Sequence, residues 1–252
     1  MSLLISTPDI IQPGGAAFPA GMNHTWDAAL GYAIETGVSL WEDQSSDIDV
    51  TQPATGKQPA RTAVNAGLNN QPSIDGDKID DILFSPLVDG LGRVNEWHDG
   101  TGVTIYLACF LTAAAAVAET ILASTSALSS SAKGLILYMT TPGKISLYIP
   151  RAVAPPAVNS TVTCAPGKCS IIIQHGTART PNWEFYRNGI SLANGAYAGA
   201  PSVLDSGVAS FHALNAGTAY PGNAQIGLIH AWPDPAVSVA AIQAAHEARF
   251  GT

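Results

Sequence analysis

From Val38 onward, short apolar runs recur between turn signals, and this spacing constrains the fold more than any other feature of the chain. The runs are Val38 to Trp41, Ser73-Ile74, Ile82 to Phe84, Thr101 to Leu111, Gly134 to Met139, Ile145 to Ile149, Ser170 to Gln174, Trp183 to Tyr186 and Gln225 to Ala231. Segments this short, rich in β-branched and aromatic residues and bounded by Gly, Pro and Asn, read as strands of a sandwich or barrel. Thr141-Pro142-Gly143-Lys144 has the chemistry of a tight hairpin, and Asn188-Gly189 tolerates positive φ. Composition agrees: 24 Gly, 17 Pro and only 12% charged residues suit many strands joined by turns. A length of 252 residues fits one all-β domain.

The two ends of the chain read differently. Residues 1 to 37 are punctuated by Pro13-Gly14-Gly15, Pro19 and Gly21 and carry no sustained period, so they are expected to form an irregular arm for attachment or assembly. The sandwich is expected over 38–252. After Pro233 and Pro235, Ser238 is placed to cap a helix over Val239 to Phe250; Val239, Ile242, Ala245, His246 and Phe250 share a face, and Gly251 offers a stop. Val103 to Ala123 has the length of a bilayer span, but Thr104, Thr112, Glu119 and Thr120 interrupt it. Its first half is β-rich, which predicts a buried strand followed by an Ala-rich connection.

A net charge of −8, with 11 Lys and Arg scattered along the chain, leaves no basic field for nucleic acid. Three cysteines do not make a disulfide framework. Cys164 and Cys169 are close enough for a local bridge, whereas Cys109, in an apolar run, reads as a buried thiol. Met1 to Pro8 lacks a basic region and a long apolar stretch, so no secretory signal is read there and synthesis in a cytoplasm is expected.

Four segments stand in an order that resembles the concanavalin A-like lectin/laminin-G domains of phage structural and tail proteins and of many carbohydrate-active proteins. They are Ser39-Leu40-Trp41-Glu42-Asp43-Gln44-Ser45; the passage from Gly56-Lys57-Gln58-Pro59-Ala60 through Leu68 to Gly76 into Asp80-Asp81-Ile82-Leu83; Trp183 to Gly189; and Ala224 to Trp232 followed by Ser238 to Gly251. The resemblance implies an all-β, two-sheet antiparallel jelly-roll sandwich with a short C-terminal helix. Asp75 to Asp81 is longer than the family's turn at that place, and the arm has no family counterpart.

Hydrolases of this superfamily carry an E-x-D-x-x-E strand, which sets two carboxylates on one face as nucleophile and general acid. None of Glu35, Glu42, Glu96, Glu119, Glu184 and Glu247 has an Asp two positions later, and Asp47-Ile48-Asp49 reads as a solvated loop. The expectation is therefore a chain without enzymatic activity: a virion structural or surface protein of a phage, as head decoration, fibre or tail component. Its partners would be other virion proteins through the arm, further copies of itself, and host surface glycans. The alternative is a carbohydrate-binding lectin-like module, with a glycan hydrolase less favoured. Candidate sugar contacts are Trp97, His98, Asp99, Trp232 and Asp234, which supply aromatic faces beside hydrogen-bonding groups. No organic cofactor is implied. Asp75, Asp77, Asp80 and Asp81 cluster hard oxygens that calcium takes, although a turn with solvated acids explains them as well. His230 and His246 read as structural histidines.

Overall fold

The structure is a computed structural model and describes residues 16–46, 48–77, 79–85, 97, 102–112, 119–123, 135–140, 144–150, 157–196, 212–213 and 222–251. In chain order the strands are β1 (His24–Asp27), β2 (Tyr32–Ile34), β3 (Val38–Trp41), β4 (Val50–Thr51), β5 (Ala60–Asn65), β6 (Gln71–Asp75), β7 (Leu83–Phe84), β8 (Val103–Leu111) and β9 (Glu119–Ala123). They continue with β10 (Ile136–Thr140), β11 (Lys144–Pro150), β12 (Ala157–Thr163), β13 (Gly167–His175), β14 (Trp183–Arg187), β15 (Ile190–Gly195), β16 (His212–Ala213) and β17 (Gln225–Trp232), before helix α1 (Val239–Phe250).

Two sheets form, and their described pairings are antiparallel. Sheet A runs β15-β14-β13-β8-β17-β6-β5, and β1 also pairs with β17; sheet B runs β12-β11-β10-β9-β16-β7-β4-β3-β2. Ile105, Leu107 and Cys109 of β8, with Ile171 and Ile173 of β13 and Ile226, Ile229 and Ala231 of β17, face Leu122, Leu137, Ile145, Leu147 and Trp41 of sheet B in one core. This is the two-sheet sandwich that the spacing of apolar runs predicts.

β8, β13 and β17 are buried on their other face as well, which is why their sequences are near-continuous apolar runs rather than alternating ones. There Tyr106, Ala108, Ile172, Leu228 and Trp232 form a second core under α1, which contributes Ile242 and Phe250, and under Leu68, Phe18 and Met22. The Ser238 hydroxyl accepts from the Ala241 amide and caps α1, and Gly251 ends it at φ 75° with its N–H on the Glu247 carbonyl. The expected helix thus has the expected cap, face and stop. Gly227 sits where β17 shifts register against β8; a Cβ there would lie 3.0 Å from the Phe250 ring and 3.2 Å from Leu68, so this close approach needs glycine.

Two elements differ from the sequence reading. The sandwich begins upstream of Val38: β1 pairs with the C-terminal half of β17, β2 pairs with β3, and Phe18 and Met22 pack in the second core. Of the segment read as an arm, residues 16–37 therefore dock on the domain, while residues 1–15 lie outside the described part. The connection after β8 ends in β9, which pairs with β10 and β16, because Thr120, Ile121 and Leu122 have a sheet to join. No described helix is long and apolar enough to cross a membrane. All three cysteines are buried free thiols, which agrees with the reading of Cys109 and leaves the optional Cys164–Cys169 bridge unmade; Cys169 instead contacts Cys109, its cross-strand partner, at Sγ to Sγ 3.7 Å. The Thr141 to Gly143 turn lies outside the described residues, although β10 and β11 on either side of it pair as a hairpin.

Phe250→Ala should cost about 3–5 kcal/mol by opening the second core, and Ser238→Ala about 1 kcal/mol by removing the cap. Denaturant unfolding of the two variants beside the parent checks both figures.

Candidate functional site

The candidate sugar contacts do not converge. Trp97 is fully buried in the core between the sheets, and Trp232 is 1% exposed, with its indole N–H donated to the Pro19 carbonyl at 3.0 Å. Neither ring offers a face for stacking, because each is consumed by packing. Asp234 is exposed, but its Oδ1 accepts from the Ala236 amide at 2.8 Å in the turn before α1. His98 and Asp99 lie outside the described residues, as does Asp47.

Of the four acids considered for calcium, three come together. The carboxylates of Asp77, Asp80 and Asp81 lie within 4.8 Å of one another. Asp75 belongs elsewhere: at the end of β6 its two oxygens accept from the hydroxyls of Thr62 and Ser73, each at 2.5 Å. Asp77 Oδ1 accepts from the amides of Ile79 and Asp80, an Asx turn that accounts for its position without an ion. Burial, then repulsion from Asp77 and Asp80, pushes the Asp81 carboxyl up to about 6. Three carboxylates supply only part of the six to eight oxygens that calcium takes.

A second polar cluster escaped the sequence reading. β1 brings His24 against the loop after β3, where Asp43 Oδ2 meets His24 Nδ1 at 2.7 Å. The Ser46 hydroxyl donates to the same carboxylate oxygen at 2.5 Å, and the amides of Thr25 and Ser45 donate to Oδ1. Burial pushes the Asp43 carboxyl up, but the bonds from His24, Ser46, Thr25 and Ser45 outweigh it and hold it below its ordinary value. Aspartate and serine both meet Nδ1, so the cluster lacks the relay geometry of a nucleophilic triad, in which the two flank the ring from opposite nitrogens. Its evident work is to tie the β3–β4 loop to β1.

The third cluster lies between sheet A and α1. His246 Nδ1 meets the hydroxyl of fully buried Tyr106 at 2.8 Å, and His230 Nδ1 meets the Thr25 hydroxyl at 3.0 Å. Burial, helped by Arg249, drives His230 down to about 3; burial, helped by Lys168, drives His246 down to about 4. Both rings are neutral at pH 7, and they bond within the fold as the structural reading expects. Beside His246 opens a pocket of about 120 Å³ lined by Lys168, Asn188, Gln243, His246, Glu247 and Gly251. Donors and acceptors from several elements converge on this open space.

No protein-family model and no curated protein matches the chain. Solved structures do. Trypanosoma rangeli sialidase, in complex with 2,3-difluoro-KDN, superposes with a TM-score of 0.59 at 13% identity over 98% of this chain and 36% of that one. The CBM40 domain of the Ruminococcus gnavus IT-sialidase gives 0.51 at 14% identity over 69% of this chain and 97% of the domain. A leech intramolecular trans-sialidase gives 0.52 at 16% identity over 69% of this chain and 27% of that one. At such identities the likeness shows the fold alone, and the chain spans about a third of the T. rangeli sialidase chains. The two-sheet sandwich that the resemblance implies is the fold these neighbours share; they give the phage part of the resemblance no support.

The expectation that the chain lacks enzymatic activity is corrected by the same finding, because the sialidases and the trans-sialidase are enzymes. That expectation rested on a missing carboxylate pair, and sialidases use a tyrosine nucleophile, so the missing pair excludes nothing on this fold.

His230 and His246 bind fewer protons folded than unfolded between their depressed values and the ordinary 6.5. Their contribution to stability is therefore complete above about pH 6.5 and is lost as pH falls toward 4 and 3. Unfolding free energy should drop by up to about 1.4 kcal/mol per pH unit per histidine in that window. His246→Gln should flatten the slope, as read from denaturant midpoints between pH 7 and pH 4.

Proposed function

We propose that this chain is a glycan-binding, lectin-like module. The observation that carries the reading is the likeness to nearly the whole of the R. gnavus CBM40 domain, a domain also solved with α2,3-sialyllactose bound. Two further facts support it. The T. rangeli sialidase that shares this fold was solved with sialic acid, and a pocket beside α1 has hydrogen-bonding groups of both kinds at its wall. These neighbours favour glycan binding over a place in a virion.

The test is a printed glycan array probed with the intact chain at neutral pH. Retention on a defined subset of glycans, displaced by the same glycan free in solution, is the expected outcome. Uniform absence of retention on neutral and sialylated glycans alike overturns the reading. Recovering the printed glycans after incubation shows in the same experiment whether any is cleaved.

A further inference from the structure

The pocket beside His246 is built rather than incidental, because each wall is held by a bond of its own. The Ser170 and Asn188 backbones are joined by the Asn188 amide on the Ser170 carbonyl, and the Ser170 amide returns to Asn188 Oδ1, both at 3.0 Å. The Ser170 hydroxyl donates to Gln243 Oε1 at 2.6 Å, and Gln243 Nε2 donates to Glu247 Oε1 at 2.9 Å. Lys168 Nζ donates to the Phe250 carbonyl at 2.9 Å. The hairpin between β14 and β15, the start of β13 and the last two turns of α1 are thereby locked around one space.

The state of His246 follows from its partner. Tyr106 is fully buried, and among the described residues its hydroxyl bonds the imidazole alone. An orphaned buried O–H costs more than an unused lone pair, so the hydroxyl donates, Nδ1 accepts and Nε2 carries the proton. Among the described residues no acceptor stands at Nε2, and the ring, 2% exposed, lines the pocket. A neutral N–H donor therefore waits there beside the two ammonium protons that Lys168 does not spend on Phe250. Opposite in kind stands the Glu247 carboxylate, with Oε2 still able to accept. Lys168 and Glu247 cancel in charge, so the pocket selects against an anion and favours a group offering donors and acceptors together. Adjacent hydroxyls of a sugar do so: each donates to a carboxylate oxygen and accepts from an N–H.

We propose that this pocket seats a neutral sugar ring, two neighbouring hydroxyls bridging Glu247 to Lys168 and the His246 Nε2–H. The proposal rests on the glycan-binding reading and narrows it: the ring held here is uncharged, unlike the sialyl ligands of the structural neighbours. A volume of about 120 Å³, open to solvent, accommodates one face of a single ring and leaves the rest of a glycan outside.

The test uses the intact chain with ¹⁵N-histidine and long-range spectra that read Nδ1 and Nε2 separately. It is titrated with methyl galactoside, methyl mannoside and N-acetylglucosamine, and, as separate arms, with sialic acid and inorganic phosphate. A saturable shift of the His246 Nε2 signal with one of the neutral sugars is expected. Glu247→Ala and Lys168→Met should each weaken that binding by about tenfold or more. Glu247→Gln keeps the shape and the link to Gln243 while losing the charge, and it should fall between them and the parent. Unchanged thermal midpoints establish that the variants fold. Silence of His246 with every neutral sugar overturns the proposal, as does a response confined to sialic acid or phosphate, or binding that none of the variants alters. If the array still shows retention in any of these cases, glycan binding stands and only this pocket is wrong; if the array is also blank, both readings fall.

Discussion

Strands β8, β13 and β17 lie side by side with apolar side chains on both faces, and a sheet so placed needs two covers. Sheet B supplies one. The other is assembled from α1, Leu68 and the segment around Phe18 and Met22, which together bury Tyr106, Ile172, Leu228 and Trp232. Each large side chain removed from water there contributes roughly 1.5–3 kcal/mol. Polar atoms caught between the layers have to find partners, since leaving a buried hydroxyl or amide unmet costs more than the bond gains net. Hence the recurring pairs of this layer: Tyr106 with His246, Thr25 with His230, and Gln174 with Thr104 and the Val237 carbonyl. The neutral histidines are a consequence of closing the second face, and the pocket is the place where that closure is incomplete.

What the residues disclosed in advance follows from how each element is specified. β8, β13 and β17 are legible because burial on both faces writes an unbroken apolar run. α1 is legible because Ser238, the 3.6-residue spacing and Gly251 are local signals. β2, β5 and β15 are not: Tyr32–Ile34, Ala60–Asn65 and Ile190–Gly195 are short or largely polar strands at or beside sheet edges, specified by the neighbours they pair with rather than by a period of their own. The tryptophans show the same limit in side chains. Trp232 lies two residues beyond His230 on the helix side of β17, and only the presence of α1 and Pro19 turns its ring from a candidate platform into core. The pocket was invisible for a related reason. Lys168, Asn188 and the Gln243 to Gly251 stretch are far apart in the chain and unremarkable in type; hydrogen bonds made only after folding gather them.

A pattern of paired acids describes one chemical solution, and its absence bears only on that solution. Fold likeness to sialidases and to a CBM40 domain fixes where strands run, while substrate and reaction are set by the few side chains that reach a ligand. In this chain the side chains with the most convergent geometry come from α1, the start of β13 and the turn between β14 and β15.

The second cover joins segments made at very different times. Asp27 and Arg249 meet in a double ion pair across 222 positions of chain, beside the helix end that Lys168 holds. During synthesis, β8 and β13 emerge with one face bare, and that face stays wet until residue 250 has cleared the ribosome. A nascent chain paused before α1 has emerged would carry an exposed apolar sheet face, the kind of surface that attracts chaperones or other unfinished chains. Closure of the domain is thus a late event, timed by the helix rather than by the strands.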